Sequence, residues 1–102
     1  QGISFMLADM ATEIAAAREL IYSTAFAKDA GDKNASVMCS MSKYYATEMA
    51  NRVAAKAIQV HGGYGFIKDY KVERLYRDAR VMTLYEGTSQ VQQMVISGAL
   101  LH

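Results

Sequence analysis

The first thirty residues carry a single apolar stripe at helical spacing. Apolar side chains recur in alternating steps of four and three residues, at Ile3, Leu7, Met10, Ile14, Ala17 and Ile21. A mean period of about 3.5 residues is typical of a helix that packs along another helix. The pattern predicts a helix from about Ile3 to Ala30. We expect Gly31 to end it, because glycine tolerates the left-handed backbone that follows many helices.

A second, broader apolar face runs from about Ala35 to Val60. Its members are Val37, Met41, Tyr44, Tyr45, Met49, Val53, Ala57 and Val60. Asn34 is the predicted N-cap, since its side chain can accept a hydrogen bond from a free N–H of the first turn. We expect this helix to end at Gly62-Gly63. Because the connection to the first helix is short, the two helices should lie antiparallel.

The rest of the chain is less regular, and we expect the chemistry to lie there. A short amphipathic helix is predicted at about Val72 to Arg80, followed by a β-prone run from Val81 to Tyr85. A last helix should begin near Ser89. Ser89 and Gln92 match the S-x-x-Q capping box, in which two side chains satisfy free backbone donors reciprocally.

Composition supports an all-α fold, an antiparallel helical bundle. The 102 residues include no proline, which would break helix interiors, and 52% are hydrophobic, which excludes a disordered tail. A net charge of +1 gives no field for steering onto nucleic acid or an anionic membrane, so neither partner is predicted. No apolar run approaches the roughly 18 residues that span a bilayer. The single cysteine cannot form an internal disulfide.

Glu86 is the first candidate for chemistry. It lies between an aromatic residue and a glycine, just before a predicted helix. From position alone, an exposed acid explains it as well, since a helix dipole stabilises a carboxylate there by about 0.3–1 kcal/mol. If Glu86 instead faces an apolar pocket when substrate is bound, desolvation raises the pKa of its carboxyl towards the range of a general base.

The glycine-rich run from His61 to Phe66 is the second candidate. Its three glycines let the backbone approach a ligand closely and can offer N–H groups to a phosphate. It is not G-x-G-x-x-G, and no predicted strand precedes it, so a dinucleotide-binding βαβ unit is poorly supported. A helix end followed by a turn is the simpler interpretation.

Other reactive side chains have structural interpretations. The segment from Lys68 to Arg80 mixes both signs of charge, as in an exposed or ion-paired helix face. Cys39 falls in a helix interior, where a small core residue is expected. His61 has no second histidine or carboxylate at ligand spacing, so no metal site is predicted.

These residues, taken together, resemble a known family. The segment QVHGGYGFIKDYKVERLYRDARVMTLYEGTSQVQ, from Gln59 to Gln92, closely resembles the C-terminal part of acyl-CoA dehydrogenases. The upstream GISFMLADMATEIAAAREL is similar to a helix of the same family's helical C-terminal domain. The motifs Q-V-x-G-G-x-G and Y-E-G-T-S-Q, in this order and spacing, are together highly specific.

The resemblance implies a flavin enzyme that oxidises an acyl-CoA to the trans-2-enoyl-CoA. Glu86 matches the catalytic base that removes the α-proton, while the β-hydrogen leaves as hydride to FAD. The developing enolate must be stabilised, and the backbone N–H of Glu86 is expected to help hold the thioester oxygen. Tyr85 and Gly87 match substrate-lining positions. A glutamate at this position points towards the short-, medium- or branched-short-chain groups, including the butyryl-CoA dehydrogenase type.

Two segments match cofactor contacts in the family. Thr88 and Gln90 match residues that contact the FAD of the same subunit. Gln59, Val60, His61, Gly62 and Gly63 match a segment that meets the FAD of a neighbouring subunit. The resemblance therefore implies a homo-oligomer, usually a tetramer, with acyl-CoA as substrate and an electron-transfer flavoprotein as electron acceptor. It also implies a cytoplasmic location in a bacterium or the mitochondrial matrix in a eukaryote.

Compared with the family, the chain is incomplete and departs from its pattern at two places. We expect residues 1–102 to form one helical-bundle domain that lacks its first helix and the upstream N-terminal helical and β domains, and to be inactive alone. Lys71 stands where the family commonly has proline, and Ser97-Gly98 where an Ala-Arg pair is common. Two alternatives remain open: a non-catalytic helical oligomerisation or binding module, and an acyl-CoA oxidase that passes electrons to oxygen.

Overall fold

The computed structural model describes residues 1–62, 71–85 and 87–101, except the side chain of Val72. These residues form four helices, α1 (Gly2–Asp29), α2 (Ala35–His61), α3 (Lys71–Met82) and α4 (Ser89–Leu100), and contain no strand. The predicted all-α fold is confirmed. Within the described ranges, no helix combines the length and the apolarity that crossing a membrane requires.

The second helix is the centre of the bundle, and α1 lies antiparallel to it. Near one end of the pair, the Thr24 hydroxyl lies 2.6 Å from that of Ser42. Towards the other end, Arg52 Nε donates to Glu13 Oε1 at 2.9 Å. Residues later in α1 thus contact residues earlier in α2, which is the antiparallel arrangement that the short connection predicts.

Helices α3 and α4 pack in succession along α2, both running against it. Asn51 of α2 donates from Nδ2 to the carbonyl of Ala79 in α3, at 2.9 Å. Nearer the start of α2, Gln93 of α4 donates from Nε2 to the Tyr44 hydroxyl at 3.0 Å. The break between α3 and α4 therefore falls against the middle of α2.

Two predicted helix ends are confirmed, and the predicted N-cap of α2 is wrong. Gly31 and Gly62 have φ of 70° and 66°, the left-handed region in which glycine is favoured. Gly63 lies outside the described residues. Asn34 precedes α2, but its side chain makes no capping bond. Its own N–H donates to Asp32 Oδ1 at 2.8 Å, so the turn is held by the aspartate.

The apolar stripe of α1 is only partly covered by α2. Ala17 is 2% exposed, whereas Ile3 and Leu7 are 57% and 50% exposed. Ile14 borders an open apolar groove between α1, α2 and α3, of about 390 Å³, which Met49 also lines. The helix pairing that the stripe predicts is present, but α2 buries only the side of the stripe near Ala17.

The predicted β-prone run from Val81 to Tyr85 is wrong. Helix α3 continues to Met82, and Thr83 and Leu84 form a turn. The Thr83 hydroxyl donates to the Arg80 carbonyl at 2.9 Å and closes the helix end. β-branched residues favour strands only when a neighbouring strand supplies partners, and the described part of this bundle contains none.

Candidate functional site

The connection from Thr83 to Thr88, between α3 and α4, is closed at its base. The side chain of Thr83 is buried, and its Oγ1 accepts from Arg80 Nη1 at 2.8 Å. The Ser89 N–H donates to the Thr83 carbonyl at 3.1 Å. The two ends of the connection are thus joined directly, which makes it a compact loop rather than an open linker.

The start of α4 is anchored to α2 through Ser89, which corrects the predicted capping box. The N-cap is Thr88, whose Oγ1 accepts from the Val91 N–H at 3.2 Å. Ser89 is instead buried, and its hydroxyl donates to Glu48 Oε1 at 2.5 Å. Thr88 and Ser89 both carry hydroxyl groups that could cap the helix. The half-buried carboxylate of Glu48 binds the Ser89 hydroxyl, which leaves Thr88 as the cap.

Lys43 binds the loop close to the point where it leads into α4. Its Nζ donates to the Gly87 carbonyl at 2.6 Å, in a partly buried contact. Hydrogen bonds with a charged donor are shorter and stronger than neutral ones. The peptide that follows Gly87 is therefore tied to the central helix.

Gly87 itself fits a conformation that other residues rarely adopt. Its φ is 91°, and a Cβ built on it would lie 2.6 Å from Gln92 Nε2. Glycine is therefore suited to this position by both its backbone freedom and its lack of a side chain.

Four of the proposed site residues lie in this loop or just after it. Tyr85 is half exposed, Gly87 and Thr88 are partly buried, and Gln90 is exposed at the start of α4. Glu86, the proposed base, lies outside the described residues. The described residues of the Y-E-G-T-S-Q motif thus lie at the break between two helices that pack on α2, or at the start of the second of them.

The second proposed segment lies elsewhere on the molecule. Gln59, Val60 and His61 form the last turn of α2, and Gly62 follows them. The loop contacts α2 at Lys43 and Glu48, so Gln59 is more than ten residues further along, or at least about 15 Å at the rise of an α-helix. The structure does not bring the two segments together. Gly63 lies outside the described residues.

The start of α4 has the features of an anion site, which bears on the predicted cofactor. Among the described residues, the Thr83 carbonyl accepts from the Ser89 N–H and Thr88 Oγ1 accepts from that of Val91. A helix N-terminus favours negative charge, so this end of α4 fits a phosphate-bearing cofactor such as FAD.

The sequence analysis missed the polar residues of α2 that hold this loop and the neighbouring helices. These are Lys43, Glu48 and Asn51, which bond to Gly87, Ser89 and Ala79 respectively. A signal was present, because Glu48 lies among the apolar positions Tyr44, Tyr45 and Met49 of one helix face. A carboxylate at such a position must find a donor when it is buried.

Comparison with known proteins places the whole described fold in one family. The model of the acyl-CoA dehydrogenase C-terminal domain matches residues 1–101. Among curated relatives, the caffeyl-CoA reductase–Etf complex subunit CarC of Acetobacterium woodii is 62% identical over 101 residues, 99% of this chain and 26% of that protein. The 3-(aryl)acrylate reductase of Clostridium sporogenes is 55% identical over the same shares.

Solved structures agree with the sequence comparison. Butyryl-CoA dehydrogenase from Megasphaera elsdenii is 46% identical with a TM-score of 0.95, over 100% of this chain and 26% of that one. A chain in a structure described as the electron transferring flavoprotein of Acidaminococcus fermentans is 44% identical. Its TM-score is also 0.95, over 100% of this chain and 27% of that one. The chain spans about a quarter of the length of the relatives that it matches.

Proposed function

Since the chain belongs to the acyl-CoA dehydrogenase family, whose C-terminal domain it matches over residues 1–101, we propose that it serves a flavin-dependent acyl-CoA dehydrogenase. The reaction converts a saturated acyl-CoA to the trans-2-enoyl-CoA. The observation that supports the proposal is the tie between the described part of the Y-E-G-T-S-Q motif and α2, through Gly87 and Ser89.

Glu86 is the proposed base. Its carboxylate takes the α-proton of the thioester, which is a weak acid, so the carboxylate must lie beside the substrate in a site that excludes water. Gly87, directly after the base, has a φ of 91°, a conformation that glycine adopts without strain. Tyr85, half exposed beside the base, is proposed to line the acyl pocket.

FAD is the proposed cofactor, and when bound it accepts the β-hydrogen as hydride. Thr88 and Gln90 are proposed to hold it at the start of α4, where the helix dipole favours its phosphates. The last turn of α2, from Gln59 to Gly63, is proposed to contact the FAD of a neighbouring subunit. The resemblance of both segments to the family's cofactor contacts is what supports that division.

The test is the visible spectrum of the full-length protein, recorded anaerobically before and after a short acyl-CoA is added. We expect a flavin spectrum that bleaches on addition. Glu86→Gln should keep the flavin and lose both the bleaching and the exchange of substrate α-hydrogens with D₂O. A protein without flavin, or with flavin that no acyl-CoA bleaches, would contradict the proposal and favour the non-catalytic helical module.

The reverse direction is a second candidate, favoured by the names of the relatives. The proteins 62%, 55% and 48% identical to this chain are called reductases, the last an acryloyl-CoA reductase of Anaerotignum propionicum. In this direction, the protonated Glu86 gives a proton to the α-carbon while hydride from the reduced flavin reaches the β-carbon. Oxidation of dithionite-reduced enzyme by enoyl-CoA, compared with reduction of oxidised enzyme by the matching acyl-CoA, measures which direction is faster.

An electron-transfer flavoprotein is the proposed electron partner, and a homotetramer the proposed assembly. The name of the A. woodii relative includes an Etf complex, which supports the former. The exposed apolar residues of α1, among them Ile3 and Leu7, support burial against further protein. Light scattering gives the assembly state. Reoxidation by oxygen alone, as fast as by the flavoprotein, would favour an oxidase instead.

A further inference from the structure

We propose that Lys43 is a positioning residue for the base, because it fixes the peptide that directly follows Glu86-Gly87. This inference rests on the proposed function, in which Glu86 removes the α-proton. Lys43 reaches no reacting atom through this contact. Its effect on the reaction passes through the backbone of the loop.

The geometry shows a tether at a point that the other anchors do not reach. At the base of the loop, Ser89 N–H binds the Thr83 carbonyl, and the Ser89 hydroxyl binds Glu48. These bonds fix where the loop leaves α3 and enters α4. Among the described residues, the 2.6 Å bond from Lys43 Nζ to the Gly87 carbonyl ties the interior of the loop to α2.

A tether is needed there because Gly87 is the most permissive residue of the loop. Its φ of 91° is open to glycine and to few other residues, and glycine can leave this conformation as easily as it adopts it. A charged donor on a helix that packs against α1, α3 and α4 opposes that freedom. Glycine supplies the conformation, and Lys43 makes it the preferred one.

The rate of proton removal depends on where the carboxylate of the base lies relative to the substrate, more than on how tightly the substrate binds. A displacement of about 1 Å at a reacting group can lower the rate about a hundredfold without loss of binding. Loss of the tether should therefore lower kcat and leave KM little changed. A residue that only stabilised the fold would instead change the thermal midpoint or the FAD content.

The experiment compares full-length variants loaded with FAD. Lys43→Met removes the charge and the donor but keeps the length of the side chain, whereas Lys43→Arg keeps both. Lys33→Met, at an exposed lysine of the α1–α2 turn, is the matched control for loss of one positive charge. For each protein, kcat, KM, flavin content, thermal midpoint and the exchange rate of substrate α-hydrogens with D₂O are measured.

We expect Lys43→Met to lower kcat and the exchange rate at least about tenfold relative to Lys33→Met, with KM and flavin content unchanged. Lys43→Arg should recover most of the loss. Activity of Lys43→Met equal to that of the control would overturn the inference. If Lys43→Met lost FAD or stability, Lys43→Gln would be measured, and the same loss there would show a structural role only.

Measurements on the wild-type protein distinguish a failure of the positioning role from a failure of the proposed function on which it rests. An active wild type with an equally active Lys43→Met contradicts the positioning role alone. A wild type that holds FAD but exchanges no α-hydrogens contradicts the proposed function, and the positioning role with it.

Discussion

The α1–α2 turn and the α3–α4 loop both contain a glycine in the left-handed region, but the two connections are held in different ways. Each contains a glycine at positive φ, 70° at Gly31 and 91° at Gly87. In the α1–α2 turn, the Asp32 N–H bonds to Ala27 and the Asn34 N–H to Asp32, so every partner is a near neighbour in sequence. In the α3–α4 loop, Gly87 and Ser89 bond to Lys43 and Glu48, more than forty residues away.

The difference separates a connection that only reverses the chain from one that the fold has fixed in place. A Cβ built at Gly31 meets nothing within 4 Å, whereas one at Gly87 meets Gln92. The first turn can therefore vary without disturbing the bundle. The second cannot change shape without breaking its bonds to the central helix.

Gly87→Ala is the substitution with the largest expected effect on this comparison. The positive φ should cost about 1–3 kcal/mol, and the flexible end of the Gln92 side chain must move aside to make room for the new Cβ. Amide hydrogen exchange in α4 should report the loss as faster local opening. The double variant with Gln92→Ala removes the collision and should recover part of the loss. Full protection in Gly87→Ala alone would show that the loop is less constrained than its bonds indicate.

Gly31→Ala should cost less, about 1 kcal/mol, because only the backbone is strained. The thermal midpoint of the full-length protein should fall slightly, with flavin content and turnover unchanged. Asn tolerates the left-handed region, so Gly31→Asn is the control and should lie closer to the wild type. A loss of turnover in Gly31→Ala would break the distinction between the two connections.

Thr88→Ala tests the cap that belongs to the fixed loop. It removes the acceptor of the Val91 N–H and should cost about 1 kcal/mol, the usual value for a lost N-cap. The measurement is amide exchange in the first turn of α4, made on protein without FAD so that lost cofactor contacts do not add to the result. Thr88→Ser keeps the hydroxyl and should exchange like the wild type.

Asn34→Ala should have the smallest effect, within about 0.5 kcal/mol, because the side chain makes no cap. Asp32→Ala should cost more, since Asp32 Oδ1 accepts from the Asn34 N–H. Thermal unfolding of the two variants side by side gives the order. The reverse order would restore Asn34 as the cap that the sequence predicts.

Sequence reasoning succeeded where neighbours along the chain decide the structure. The ends of α1 and α2 at Gly31 and Gly62 follow from local backbone preference, and the four helices follow from apolar spacing. Glu86 was singled out by its position between an aromatic residue and a glycine just before a helix, and the family resemblance supplied its proposed role. The described structure then places Tyr85, Gly87 and Thr88 in one loop.

It failed where a distant residue decides between two local solutions. Thr88 and Ser89 are both good caps, and Glu48 on α2 selects Ser89 for burial. The run from Val81 is β-prone by composition, yet α3 extends to Met82 because its partner is a helix. Lys43 was overlooked because a lysine on a long helix gives no sign of the carbonyl that it will meet.

The central place of α2 also implies an order of events during synthesis. A chain made from its N-terminus releases α2 before the residues that α2 will hold, and the short α1–α2 turn lets these two helices pair early. Of the described helices, α3 and α4 pack on α2 alone. The connection between α3 and α4 therefore emerges after the α1–α2 pair on which its neighbouring helices pack.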